Sequence, residues 1–403
     1  KTIFLIDMNA YFIACEMSRN PSLRQGPAAV AGDPQKRTGI ILTANYTARA
    51  FGVQTAMNLK EALKRCPDLV TVPPDHAFYR DLSTKIMLRL ENYSPVIQQN
   101  SIDEAWMDMT GTEQIFGTPS NAAQQIMNDL AQSLRLPCSI GISSNKFLSK
   151  MASDMKKPKG ITELWPHQIA EKLWPLPVEK MVGVGRQTFQ KLRQMEIYTI
   201  GDLAHCDPEL LTRQLGHAAQ NLTRKANGID ESAIIPRQPK DIKSIGKSVT
   251  LPKDAATPED LRLTLMDLAD KVGRRARELN VSGAVIQITF KLRDFSIVTR
   301  QITLPEPTQF SADIFSAGYL LMKDHWPKHQ RVRLIGITLT NFHSQKITEQ
   351  LTIFDLMDSP ISEPQSTVSD KKRSQQIDQV MDQIQQKHGR RKITRASLLH
   401  QTE

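Results

Sequence analysis

Apolar residues follow two rhythms along this chain. From residue 1 to about 165, compact runs at Ile3-Phe-Leu-Ile6 and near 28 to 31, 39 to 44, 69 to 72, 96 to 102, 105 to 109 and 138 to 142 predict strands, the first of them buried and central. Between the runs, Ala77, Phe78, Leu82, Ile86 and Leu90 repeat at helical spacing, as do Ala122, Ile126, Leu130 and Leu134, so this part is α/β. Residues 166 to about 230, entered at Pro175 and Pro177, read as wholly helical. Pro236, Pro239 and several lysines mark 231 to 246 as a linker.

A second mixed pattern then begins. Val249-Thr-Leu251 reads as a strand, and Thr257-Pro-Glu-Asp260 starts a helix whose stripe is Leu261, Leu265, Leu268, Val272, Ala276 and Leu279. Strands near 284 to 292, 295 to 304 and 331 to 340 and a helix around 311 to 325 complete a β-α-β-β-α-β order. In the polar last 60 residues, Gln350-Leu-Thr-Ile-Phe354 is a short apolar plug. Ile377, Val380, Met381 and Ile384 predict one amphipathic helix ahead of Lys387-His-Gly-Arg-Arg-Lys392, a tail expected to be flexible and to bind a polyanion or a partner.

At 403 residues, two to four domains are expected. A net charge of +10 and a pI of about 9.4 point to a polyanionic partner ahead of a membrane surface. No apolar run reaches the roughly 20 residues that span a bilayer, and no signal peptide precedes the first strand, so a soluble cytoplasmic protein is expected. Cys15, Cys66, Cys138 and Cys206 lack zinc or disulfide spacing and read as reduced, mostly buried residues.

The chemistry concentrates in Val96 to Met109, where Asp103 and Glu104 interrupt two short strands of a predicted hairpin. Adjacent acids at a turn are more often solvated than catalytic, and neighbouring strand side chains point to opposite faces. A third acid, Asp7, ends the first apolar run; it is either the N-cap of the next helix or, if the strand ends are neighbours, part of a three-acid site suited to Mg²⁺. Tyr46 and Arg49, three apart, share a helix face that either holds a phosphate or carries a surface hydrogen bond. Lys156, Lys157 and Lys159 gather in one loop after a helix stopped by Pro158 and Gly160. Gly183 and Gly185 open a helix in the manner of a phosphate-approaching turn. Lys247, Lys291, Arg293, Arg300, Arg331 and Arg333 fall on or beside the later strands, as a basic sheet face for nucleic acid or as scattered solvated charge.

Asp7-Met-Asn-Ala-Tyr-Phe12, Asn45-Tyr-Thr-Ala-Arg49, Ser101-Ile-Asp-Glu-Ala105 and Lys157-Pro-Lys-Gly160, taken in order, resemble the core motifs of the Y-family translesion DNA polymerases. Asn9 to Glu16 and the tail around Lys387 to Ser397 look closer to the UmuC and UvrX-like branch than to DinB. The resemblance implies a right-hand polymerase of multidomain α/β and α class. Its parts would be a ferredoxin-like palm (1 to 18 and 76 to 165), small fingers (19 to 75), a helix-hairpin-helix thumb (166 to 230), the linker (231 to 246), a little finger (247 to 342) and a tail (343 to 403).

It further implies that Asp7, Asp103, Glu104 and the Met8 carbonyl bind two Mg²⁺ ions. Tyr11, Phe12, Thr43, Tyr46, Arg49 and Lys157 would bind the nucleotide, with Phe12 as steric gate. Gly183, Gly185 and the six basic residues would bind primer-template DNA, and Gln350, Leu351, Ile353 and Phe354 resemble a sliding-clamp peptide. The tail would meet a damage-response partner. The implied activity is low-fidelity, distributive synthesis past damaged bases. A non-catalytic, clamp-bound scaffold ranks below it, since all three acids are present, and a metal-dependent nucleotidyl cyclase ranks third, disfavoured by the thumb, the basic little finger and the clamp-like peptide.

Overall fold

The structure is a computed structural model describing residues 1–33, 39–235, 242–327, 330–343 and 365–389, with 393, 395 and 396. The chain divides into two compact units, 1–237 and 238–403.

The first unit is built on a five-stranded sheet in the order β5-β6-β1-β7-β8. Its middle strand is the initial apolar run, β1 (Ile3–Met8), buried along its length and antiparallel to both neighbours. These are β6 (Glu104–Asp108) and β7 (Cys138–Ser143); β5 (Ile97–Gln99) closes the predicted hairpin with β6, and β8 (Ile161–Glu163) pairs parallel to β7. Phe4, Ile6 and Met8 enter one core with α1 (Tyr11–Arg19), α4 (His76–Leu90) and α6 (Pro119–Leu134); α5 (Glu113–Phe116) adjoins α6. Alternation along β1 leaves Leu5 and Asp7 on the other face, where α7 (Lys146–Met155) packs. Gly141 allows that approach, because a Cβ there would stand 1.9 Å from the Ser149 carbonyl oxygen.

Between α1 and α4, β2 (Ala28–Ala31), β3 (Ile41–Ala44) and β4 (Val70–Val72) form a small sheet in the order β3-β2-β4, packed with α2 (Tyr46–Ala50) and α3 (Leu59–Arg65). The helical segment holds α8 (Ile169–Lys172), α9 (Arg186–Gln194), α10 (Ile200–His205), α11 (Pro208–Leu215) and α12 (Ala218–Ala226). Its core includes Phe147, Leu148, Met151 and Ala152 of α7, so that helix ties it to the sheet.

In the second unit, β9 (Ser244–Ala255), β10 (Ser282–Leu292), β11 (Ile297–Thr308) and β12 (Val332–His343) form a sheet in the order β11-β10-β12-β9. One face is covered by α13 (Arg262–Glu278) and α14 (Ser311–Asp324), giving the expected β-α-β-β-α-β order, with its first strand starting inside the stretch read as linker. The predicted helix start is reciprocal: Asp260 accepts from the Ala256 and Thr257 amides, and the Thr257 hydroxyl accepts from Asp260 N–H.

Two expectations need correction here. Residues 343–403 are not wholly a free tail, because α15 (Gln365–His388) docks on this unit through buried charge. Arg277 of α13 pairs with Asp382 at 2.5 Å and Asp378 at 3.1 Å, and Asp378, only 1% exposed, also binds Arg395 and accepts from Ser311 N–H at 2.8 Å. The polar composition that suggested a tail is what makes this lock. Arg277→Ala should take one of its two arginines from buried Asp378, leaving Arg395 and the Ser311 amide as its partners, and cost about 2 kcal/mol; urea unfolding checks this, and the Arg277→Ala/Asp378→Ala double variant should lose less than the sum of the two single changes.

Second, the basic residues do not share a sheet face. Arg300 pairs with buried Ile288 and Lys247 with buried Ile337, which puts both on the helix-covered side, whereas Lys291 is on the other. A period of two is invisible in residues drawn from several strands whose register is unknown.

Candidate active site

Strand register brings the acids together. Asp7 is paired with Glu104 across β1 and β6, and Met8 N–H donates to the Asp103 carbonyl at 3.0 Å, so the three acids occupy neighbouring strand ends. Asp7 is not a helix cap: α1 starts at Tyr11 after Ala10, which is itself in the left-handed region (φ 48°), while the Asp7 carboxylate points at lysines. Lys150 Nζ of α7 lies 2.9 Å from Asp7 Oδ2 and 2.6 Å from Glu104 Oε1, and Lys157 Nζ lies 2.7 Å from the same Asp7 oxygen. Buried Asn9 fastens the lysine loop, accepting from Lys159 N–H at 2.8 Å and donating to Ser139 Oγ at 3.0 Å. The second Glu104 oxygen accepts from Asn100 at 2.9 Å, and Asp103 accepts from the Ser101 hydroxyl.

Burial pushes the Asp7 carboxyl up, but its hydrogen bond with Glu104 and the Lys150 and Lys157 charges outweigh that and hold it below the usual carboxylate range. Glu104 goes the other way, raised by burial and by its Asp7 neighbour despite Lys150. Both lysines are raised: burial opposes this, and the carboxylates win.

Asp7, Asp103 and Glu104 line an open cavity of about 370 Å³ with Met8, Tyr11, Phe12, Thr43, Tyr46, Arg49 and Lys157, so one space holds the expected metal and nucleotide residues. The Arg49 guanidinium lies 4.9 Å over the Tyr46 ring, and its Nε donates to the Ala44 carbonyl at 2.9 Å, which fixes it at the wall. Phe12 stacks on Tyr79 at 4.7 Å and 17°; Tyr11 is buried, its hydroxyl spent on the Tyr79 carbonyl at 2.7 Å.

Among the described residues, no three His, Cys, Asp or Glu side chains are already set to hold a metal ion. The donors are all oxygen, a set that suits a hard divalent cation, and the site already draws two ammonium groups onto Asp7. Lys150 was missed from sequence. Lys150, Asp154 and Lys157 at intervals of four and three were the available signal, and nothing in them named an acid 143 residues away.

Elsewhere, Gly183 takes a φ of +100° and Gly185 caps α9, an exposed turn that a residue with a Cβ would strain at Gly183. In the second unit, Lys291 and Arg333 lie 5.1 and 4.8 Å over the exposed Phe295 ring, and Arg293 N–H bonds the Arg331 carbonyl at 3.1 Å. The four cations therefore cluster at one end of the sheet. Residues 350–354 lie outside the described residues. Among the described residues, no helix is long and apolar enough to cross a membrane, and Cys15, Cys66, Cys138 and Cys206 are free thiols, the first three buried.

Acids and cations facing each other across so small an open space suit the transfer of a phosphate-bearing nucleotide, the chemistry of the nucleotidyl-transferring polymerases. Residues 6–154 match the impB/mucB/samB family and 242–353 its C-terminal domain. The DNA polymerase IV of Alkaliphilus oremlandii is 49% identical over 98% of both chains, that of Clostridium kluyveri 48% over 100% of this chain and 99% of its own, and DNA polymerase IV 1 of Bacillus subtilis 38% over 100% and 94%. A solved Y-family DNA polymerase chimera of Dbh and Dpo4 superposes with a TM-score of 0.75 at 23% identity, covering 85% of this chain and 99% of that one, and so shares the fold. The chain belongs to the impB/mucB/samB family, the Y family of DNA polymerases. Its finer placement is with the DinB and polymerase IV group rather than nearer to UmuC and UvrX-like sequences.

Proposed function

We propose that the cavity joins an incoming deoxynucleotide to a primer end, with Asp7, Asp103, Glu104 and the Met8 carbonyl holding two Mg²⁺ ions. The protein is then a DNA-directed DNA polymerase of the translesion class. The observation that carries the site assignment is the Asp7–Glu104 register pair inside a cavity walled by Tyr46, Arg49 and Lys157. When bound, the ions lower the pKa of the primer 3′-OH and stabilise the departing pyrophosphate.

The chain's own groups do the placing. Asn100 and Ser101 orient Glu104 and Asp103, while Thr43, Tyr46, Arg49 and Lys157 receive the β- and γ-phosphates. Phe12 stands at the sugar as steric gate. The Gly183–Gly185 turn and the basic end of the second unit's sheet, rather than its whole face, hold the DNA backbone. A clamp contact through Gln350, Leu351, Ile353 and Phe354 keeps an otherwise distributive enzyme on DNA. A scaffold without catalysis is disfavoured because all three acids line the cavity.

Primer extension on intact and damaged templates tests this. Mg²⁺-dependent extension requiring both primer and template is expected, with longer products when the clamp is present unless Leu351 and Phe354 are replaced. Consumption of a single nucleoside triphosphate without primed DNA would point to a cyclase.

A further inference from the structure

Lys150 is the side chain at the acidic site that the mechanism above leaves unused. Its ammonium bridges Asp7 Oδ2 at 2.9 Å and Glu104 Oε1 at 2.6 Å, and its side chain is only 16% exposed. One helical turn away on α7, Asp154 offers a third partner, 3.3 Å from Lys150 Nζ and already 2.8 Å from Lys157 Nζ. Three carboxylates around one small cavity repel one another when no cation is present, and a buried or half-buried acid pair is costly unless it is neutralised. Lys150 supplies that charge between the two acids whose oxygens face the metal region, and the more exposed Asp154, at 41%, gives it somewhere to go.

We infer that Lys150 is the resident counter-ion of the metal-free site, a positioning residue that keeps Asp7 and Glu104 facing each other and cedes them to divalent metal by withdrawing to Asp154. The inference rests on the reading of Asp7 and Glu104 as metal ligands. It makes metal loading an exchange of one cation for another, so Lys150 stabilises the empty site and competes with the ion for the filled one. Lys157 does not fill the same role, since it reaches Asp7 but not Glu104 among the described bonds.

The test is Mn²⁺ binding to the full chain without DNA or nucleotide, followed by electron paramagnetic resonance of the free ion, with thermal melting in chelator alongside. Lys150→Met should bind Mn²⁺ about tenfold more tightly at the site that Asp7→Asn removes. It should melt lower in chelator and gain more on adding Mn²⁺ than the parent does. Lys150→Arg, which keeps the charge, should stay near parental affinity, and Asp154→Asn should weaken loading. A lysine that merely supported the fold would leave Mn²⁺ affinity unchanged or reduced on removal. That result, with Asp7→Asn still abolishing the site, overturns the inference. Mn²⁺ binding that ignores Asp7→Asn overturns instead the assignment of the acids beneath it.

Discussion

Glu104→Gln and Asp7→Asn should each lower the rate of nucleotide addition by about a thousandfold or more, several kilocalories of barrier at roughly 1.4 kcal/mol per decade. Binding of primer-template, measured by fluorescence anisotropy, should stay within about twofold, because backbone affinity comes from phosphate contacts made elsewhere. The two residues sit opposite each other in the ladder, so either change takes one of the three carboxylates from the same shared site. Asp103 is the informative third case. Its carboxylate accepts from Ser101 and its carbonyl from Met8 N–H, so Asp103→Ala removes a ligand but leaves the backbone bond that aligns β1 with the turn. Rapid-quench single-turnover kinetics separates this loss of chemistry from loss of binding. Extension at parental rates by any of the three variants would remove that residue from the metal assignment.

Asp7 also sets a sign for acid sensitivity. Its carboxyl is held below its ordinary range in the folded chain, so what it contributes is present above the unfolded value and is lost as pH falls through the folded one. Asp7→Asn should flatten that part of the acid unfolding profile.

Much of this was legible in the residues because it is local. An apolar run such as Ile3 to Ile6 can be little else than an interior strand, and the apolar pattern of Val96 to Met109 set the hairpin that carries two of the acids. The Thr257–Asp260 start and the Leu261 to Leu279 stripe likewise fixed α13 to within a turn. What escaped depends on pairings across long separations. Lys150 meets Asp7 only because Gly141 lets α7 press on the sheet, and Asp378 meets Arg277 only because α15 returns to α13. The face on which Arg300 and Lys247 lie needed the register of four strands. Charged residues carry no period that reveals such partners, whereas burial of apolar groups does.

Phe12→Ala should admit ribonucleotides, raising their kcat/KM relative to deoxynucleotides by about a hundredfold or more. The ring is half-buried and rigidly backed: it lies parallel to Tyr79 at 4.7 Å and edge-on to His76 at 5.8 Å. Tyr79 is in turn fixed by its hydroxyl on Glu16 at 2.7 Å, and Glu16 is clasped by Arg19. A gate on such a support cannot swing aside, so a 2′-hydroxyl brought against it is excluded by volume and finds no hydrogen-bond partner on an aromatic face. Truncation opens space without disturbing the acids, which stand on β1, on β6 and in the turn just before β6 rather than on α1. Deoxynucleotide incorporation should therefore fall by less than about tenfold, and the loss of the stacked ring should cost about 2 kcal/mol of stability, less than for a fully buried phenylalanine. Phe12→Leu, which restores bulk without aromaticity, distinguishes the two causes: discrimination recovered by leucine means volume excludes the hydroxyl, and discrimination still lost means the flat face does. Unaltered sugar selection in Phe12→Ala would place the gate on another residue of the cavity wall.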